Sequence, residues 1–224
     1  MTRPLKIFCD FDGTITHVDS CNIIIDHCMG REARRAIDDK IAGGEFSFRQ
    51  GYDAQFSHVT MTWEESLALL HGKNGVDPTF PPFVRQLAHK QIPLTILSAG
   101  IEQIIREHLD TVGLADLDIR ANRIRIENHR WRVEYFDDTP FGNDKAAAVR
   151  EAAAQGFHTV FIGDGISDFP VASVADILFA KRGYRLEKYC VSQGIDFHPF
   201  DNFDDVWAVL TKLMMNGEWV ENKT

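Results

Sequence analysis

The sequence predicts an α/β protein, a Rossmann-like core with a mostly parallel sheet and a helical cap inserted after the first strand. Three observations predict it. The chain opens on a short apolar run, Leu5–Cys9, of the kind that forms a buried strand. From Pro93 onward, further apolar runs alternate with helical stretches, which implies parallel strands covered on both faces. Between these parts, residues 17–88 carry helical spacing and no strand pattern.

After Leu5–Cys9 the segment Gly13-Thr14-Ile15-Thr16 reads as a turn. Asp19 or Ser20 caps a first helix carrying Ile23, Ile24 and His27. A second helix begins at Arg31, and a third opens at Ser47-Phe48 and runs through Tyr52 and Phe56. Thr62-Trp63-Glu64-Glu65 has the form of a capping box and opens a fourth. Gly30, Gly43-Gly44, Gly72, Gly75 and Pro81-Pro82 punctuate this region.

Leu94–Leu97 is a strand ending at Ser98-Ala99-Gly100, followed by a helix with Ile101, Ile104, Ile105, His108 and Leu109 on one side. Ile124–Ile126 and Trp131–Tyr135 alternate about Glu127–Arg130 and read as a β-hairpin. Asn143–Gln155 is an Ala-rich helix stopped by Gly156. Thr159–Ile162 is a strand running into Gly163-Asp164, Val171–Val174 a short helix and Ile177–Ala180 a strand. Leu186–Gln193 is a helix stopped by Gly194, and Asn202 or Asp204 begins the last helix, through Leu213. The expected division is a core of residues 1–16 and 89–224 with a cap of residues 17–88. Ligands of open α/β sheets bind beyond the carboxyl ends of the strands, so an insert leaving from there roofs the site.

Composition narrows the function. The 224 residues carry 24 Lys and Arg against 33 Asp and Glu, a net charge of −9, which argues against nucleic acid or an anionic bilayer as partner. No run approaches the ~18 apolar residues of a membrane helix, and Asp10 and Asp12 break the first apolar stretch, so no leader is expected. Cys9, Cys21, Cys28 and Cys190 form no C-x-x-C pair and read as reduced thiols of a cytoplasmic protein. The nine histidines are scattered without zinc-ligand spacing.

Three strand ends carry polar residues able to meet at one rim: Asp10-Phe11-Asp12-Gly13-Thr14, Ser98-Ala99-Gly100, and Gly163-Asp164 through Asp168. Clustered carboxylates repel one another and are costly to desolvate, so such a cluster calls for a cation. Oxygen donors without His or Cys point to Mg²⁺ rather than Zn²⁺. Each piece also has a plain structural reading. Asp10-x-Asp12-Gly13 suits a capped turn, Ser98 and Asp168 suit helix caps, and Lys145 suits a solvated surface. A calcium loop does not fit, because Gly13 follows Asp12 at once. Lys145 in the first turn of its helix opposes the helix dipole, which a site full of carboxylates would offset. Ser98 and the backbone N–H groups after it suit a phosphate oxygen.

Taken together and in this order, these segments resemble the haloacid dehalogenase (HAD) phosphatases. That signature is D-x-D-x-T after the first strand, Ser or Thr after the second, a later Lys, and G-D-x-x-x-D. The helical insert and Gly163-Asp164-Gly165-x-x-Asp168 are similar to the phosphoserine-phosphatase-like branch. Cys9–Thr16 and Ile177–Ala180 look most like its methionine-salvage members, which act on 2-hydroxy-3-keto-5-methylthiopentenyl-1-phosphate. The resemblance implies Asp10 as nucleophile and Asp12 as acid and base. It implies Mg²⁺ held by Asp10, Asp12 and Asp164, with Asp168 as ligand or anchor, and Ser98 and Lys145 on the phosphoryl oxygens. Gly13, Thr14, Ala99 and Gly100 would supply close backbone approach, while Asp19, Arg49 and Gln55 would face the substrate from the cap. The sequence departs from phosphoserine phosphatases at Asp19 (usually Glu), at Gln55 (usually Arg, with Arg49 close by) and at Ser167 (usually Asn). The expected partner is a small phosphorylated metabolite, bound by a monomer or homodimer. The activity implied is Mg²⁺-dependent phosphatase through an aspartyl-phosphate; phosphoryl transfer to an alcohol and binding without turnover are the alternatives.

Overall fold

The computed structural model describes residues 3–216. Seven strands form one sheet in the order β4-β3-β2-β1-β5-β6-β7. They are β1 (Leu5–Cys9), β2 (Leu94–Ile101), β3 (Asp118–Glu127), β4 (Arg130–Glu134), β5 (His158–Gly163), β6 (Ile177–Lys181) and β7 (His198–Phe200). Every pairing is parallel except β3 with β4. The central strand shows why Leu5–Cys9 is apolar throughout: Leu5, Ile7 and Cys9 enter the cluster on one face and Phe8 the cluster on the other.

Five helices separate β1 from β2: α1 (Ser20–Met29), α2 (Arg31–Ala42), α3 (Phe48–Phe56), α4 (Trp63–Leu70) and α5 (Phe80–His89). Their starts follow the sequence closely. The Asp19 side chain caps α1 by accepting from the Asn22 amide, while Ser47/Gln50 and Thr62/Glu65 form capping boxes at α3 and α4. Residues of α1, α3 and α4 form a cluster with Ile101, Ile104, Ile124 and Trp131. The α5 helix differs. Phe80, Phe83, Val84 and Leu87 join the core with Ile7 and Phe11, and the Phe80 ring meets Phe203 edge-on at 4.9 Å. Segment 17–88 thus packs in two ways, and a bridge between Thr16 and Val76 brings the ends of its first part together.

The remaining helices are α6 (Glu102–Asp110), α7 (Lys145–Ala154), α8 (Arg185–Gln193) and α9 (Phe203–Asn216). Gly194 ends α8 in the left-handed region, as its place after the last apolar residue predicts. Among the described residues, no helix is long and apolar enough to cross a membrane, and the four cysteines are unpaired.

Three elements differ from the sequence reading. The hairpin strand beginning near Ile124 extends back to Asp118, and its first half pairs in parallel with β2. The polar stretch Arg120-Ala121-Asn122 hides this, because Asn122 is buried to serve hydrogen bonds rather than apolar packing. β7 is a three-residue edge strand, too short to show a pattern. Finally, the short helix expected over Val171–Val174 is instead a 3-10 turn over Ile166–Val171, with Pro170 inside it.

Candidate active site

Three parallel strands, β1, β2 and β5, end at one rim and deliver the polar segments there. Asp10 follows β1, and its amide donates to the Ile162 carbonyl of β5 (2.8 Å). Its carboxylate is almost fully buried. Oδ1 accepts from the Phe11 amide (2.8 Å) and from Lys145 Nζ (2.8 Å). Among the described residues, Oδ2 has no hydrogen-bond donor.

Lys145 comes from the first turn of α7. Far from lying on a solvated surface, its side chain is 1% exposed. Besides Asp10 it binds Asp168 Oδ1 (2.7 Å) and the Ser167 hydroxyl (3.0 Å). These carboxylates hold its proton firmly, with its pKa raised despite burial. The other oxygen of Asp168 accepts from the amides of Asp164 and Gly165, both at 3.0 Å. Asp168 therefore anchors Lys145 and the loop that carries Asp164. Asp164 Oδ1 accepts from the Thr14 hydroxyl (3.0 Å), and Lys181 Nζ donates to the Thr14 carbonyl (3.0 Å) from β6.

Asp12 turns toward the cap, where its Oδ1 accepts from the Ser20 amide (2.8 Å) at the head of α1. Burial is the main reason its pKa rises to about 6. Burial, then the neighbouring Asp12 charge, takes Asp19 to about 7.

Ser98 sits where β2 shifts register against β3. Such a bulge re-aims side chains, and here two buried asparagines satisfy the carbonyls it frees. Asn143 Nδ2 donates to the Ser98 carbonyl and Asn122 Nδ2 to that of Ala99, each at 2.8 Å. The Ser98 hydroxyl accepts from the Gly100 amide (2.9 Å).

Close approach fixes two glycines. A Cβ on Gly100 would stand 2.6 Å from Asp12 Oδ2, and one on Gly13 2.5 Å from Asp164 Oδ2. Gly13 also has φ +83°, in the left-handed region. Gly13→Ala is expected to push Asp164 aside and weaken binding of a divalent cation at these carboxylates by about tenfold or more. A metal titration checks this, and an unchanged midpoint would count against Asp164 as a ligand.

Carboxylate oxygens of Asp10, Asp164 and Asp168 lie within 4.8 Å of one another. Burial and the Asp168 charge push Asp10 well above its ordinary range, and burial with the same charge takes Asp164 to about 7. An all-oxygen set with unpaired Asp10 and Asp164 atoms fits a hard divalent cation such as Mg²⁺.

Asp10, Asp12, Gly13, Thr14, Ser98, Ala99, Gly100, Lys145, Asp164 and Asp168 thus converge, with Asp19 beside Asp12. The other two cap residues make different contacts. Arg49 stacks over the Tyr135 ring at 4.3 Å, and its amide donates to Pro140. The buried Gln55 amide donates to Asp38 (2.8 Å). Asn122, Asn143 and Lys181 support the site without a local motif; Asn143 alone carried a hint, lying two positions before Lys145.

The model of the haloacid dehalogenase-like hydrolase family matches residues 7–173. The chain is 34% identical to Pdp3-interacting factor 1 of Schizosaccharomyces pombe, over 96% of this chain and 98% of that one. It is 32% identical to a polyol phosphate phosphatase of Saccharomyces cerevisiae, PYP1, over 95% and 94%. It is 27% identical to the 2-hydroxy-3-keto-5-methylthiopentenyl-1-phosphate phosphatase of Lysinibacillus sphaericus, over 95% and 96%. In fold it is similar to a phosphoserine phosphatase solved as a phospho-aspartyl intermediate analogue, with TM-score 0.70 at 17% identity, over 95% and 99% of the two chains. The chain belongs to the haloacid dehalogenase-like hydrolase family, as a phosphatase with the fold of the phosphoserine phosphatases.

Proposed function

We propose that this phosphatase moves the phosphoryl group of a small hydroxylated phosphomonoester first to Asp10 and then to water. The observation that carries the reading is the Asp10 carboxylate. One oxygen is fixed by a backbone amide and Lys145, and the other has no partner, at the meeting point of three strand ends. A fixed, desolvated carboxylate beside a cation is a nucleophile held ready. The 32% identity to a polyol phosphate phosphatase supports a polyhydroxylated leaving group.

In the first half, Asp10 attacks phosphorus, the ester P–O bond breaks, and Asp12 gives its proton to the departing alcohol. In the second, Asp12 takes a proton from water, water attacks phosphorus, and the Asp10 carboxylate and inorganic phosphate are released. A pKa near 6 lets Asp12 serve in both directions at neutral pH. Ser98 and Lys145 hold the phosphoryl oxygens, and Gly13 and Gly100 let the backbone approach them closely. Asp10, Asp164 and the Asp12 carbonyl would hold Mg²⁺, with Asp168 behind them, and a cation held there would offset charge on the phosphoryl oxygens. Residues 17–76 form the cap and choose the leaving group; α5 belongs to the core.

Phosphate release from an aryl phosphate and from glucitol 6-phosphate, with and without Mg²⁺, tests the reading. Release from neither ester would end it.

The same cluster predicts a pH dependence. Asp12 at about 6 and Asp164 at about 7 hold more protons folded than unfolded. The metal-free protein therefore loses stability as pH rises from about 4 through these values. Mg²⁺ competes with those protons, so the Tm gained in saturating Mg²⁺ is expected to be larger at pH 8 than at pH 5. Thermal melts at the two pH values check this, and equal gains would contradict it.

A further inference from the structure

One buried cation of the core takes no part in the phosphoryl chemistry. Lys181 ends β6 and is 6% exposed. A buried ammonium ordinarily stands against a carboxylate, because a lone charge is costly to desolvate. Among the described residues, no carboxylate lies within ion-pair distance of Lys181. Its Nζ instead donates to the carbonyl of Thr14 (3.0 Å), 167 residues earlier in the chain, and stands over the Tyr184 ring, 5.8 Å from its centre.

Thr14 is fully buried and joins two parts of the site. Its carbonyl accepts from Lys181, and its hydroxyl donates to Asp164 Oδ1 (3.0 Å). The turn after Lys181 grips the Asp164 segment a second time. The Tyr184 amide donates to the Lys181 carbonyl (3.2 Å), which closes the turn, and the Leu186 amide donates to the Asp164 carbonyl (2.8 Å). The ladder between β1 and β5 ends at Cys9 and Ile162. Beyond it, the contact of Thr14 with Asp164 ties the two segments together, and the end of β6 holds both of them.

We propose that Lys181 is a positioning residue, which through Thr14 holds the Asp164 carboxylate in place for a divalent cation. This rests on the cation site of the phosphatase reading above. A brace and a bare charge have opposite signs here. As a charge alone, Lys181 repels a second cation, so removing it would tighten binding. As a brace, its removal leaves the buried Thr14 carbonyl without a donor and frees the hydroxyl that fixes Asp164, so binding weakens.

Binding of Mn²⁺ without substrate at pH 8, counted from the electron paramagnetic resonance of the free ion, tests it. Lys181→Met is expected to raise the Kd about tenfold or more. Lys181→Gln, which keeps a donor and loses the charge, is expected to recover most of that loss. Thr14→Val removes the hydroxyl and keeps the carbonyl. Combined with Lys181→Met, it is expected to add less than about twofold to the larger single effect, because both changes cut one link. Unchanged or tighter binding in Lys181→Met, or effects that multiply in the double variant, would overturn the proposal. Hydrogen exchange in the wild-type protein decides even if Lys181→Met does not fold. Whatever holds the site for the cation is itself held by it, so Mn²⁺ should slow exchange over residues 182–187 as well as 163–168. Slowing confined to 163–168 would overturn the proposal. Aryl phosphate hydrolysis by the wild type, run in parallel, keeps the two readings apart. Hydrolysis with normal Mn²⁺ binding in Lys181→Met ends this proposal alone, whereas a wild type that neither binds Mn²⁺ nor hydrolyses the ester ends both.

Discussion

Asp10→Asn is expected to lower phosphomonoester turnover by at least about 10⁴-fold, the scale on which removing a nucleophile acts. The change keeps shape and volume and removes the attacking oxygen. It also removes a carboxyl group that burial, and then repulsion from Asp168, already push far above its ordinary range. The metal-free variant should therefore melt no lower than wild type at pH 8. Loss of turnover with retained Tm separates a chemical role from a structural one. Turnover near wild type would remove Asp10 from the mechanism.

Lys145→Met is the second large effect, and it strikes stability and catalysis together. Lys145 is the cation bound to Asp10 and Asp168, whose side chains are 7% and 0% exposed. Breaking such a buried set costs about 3–5 kcal/mol. Loss of a charge-assisted donor to the phosphoryl oxygens lowers kcat by about 10²–10³-fold. The sign with pH is specific. Without the cation that holds it down, Asp10 rises further and protonates as pH falls, so denaturant melts should show a larger deficit at pH 8 than at pH 5. A deficit independent of pH would point to lost packing alone.

The residues that carry this chemistry were legible because each one stands at a strand end beside a turn. Asp10, Ser98 and Asp164 follow apolar runs, and glycines stand within three positions of each. What the sequence did not show depends on partners far along the chain. The first half of β3 is held by buried Asn122 and by pairing to β2, neither of which leaves an apolar alternation. α5 was not read as a helix of its own, because Pro81-Pro82 looked like punctuation when it is the first turn, and its seat in the core rests on Phe203, far along the chain. Arg49 and Gln55 were readable as cap residues. Their contacts, with Tyr135 and Asp38, follow from how α3 packs between the hairpin and α2. Lys145 shows the limit most plainly. By position it reads equally as a surface lysine, and only the fold brings Asp10 and Asp168 to it.

The central claim is that the phosphoryl group passes through Asp10. Acid quench during steady-state turnover, borohydride reduction and peptide mass spectrometry measure it directly, since reduction converts a phosphorylated aspartyl to homoserine. The expected result is homoserine at position 10, formed only when substrate and Mg²⁺ are both present and absent at Asp12 and Asp164. Turnover with no homoserine at position 10, or homoserine at another aspartate, would contradict it.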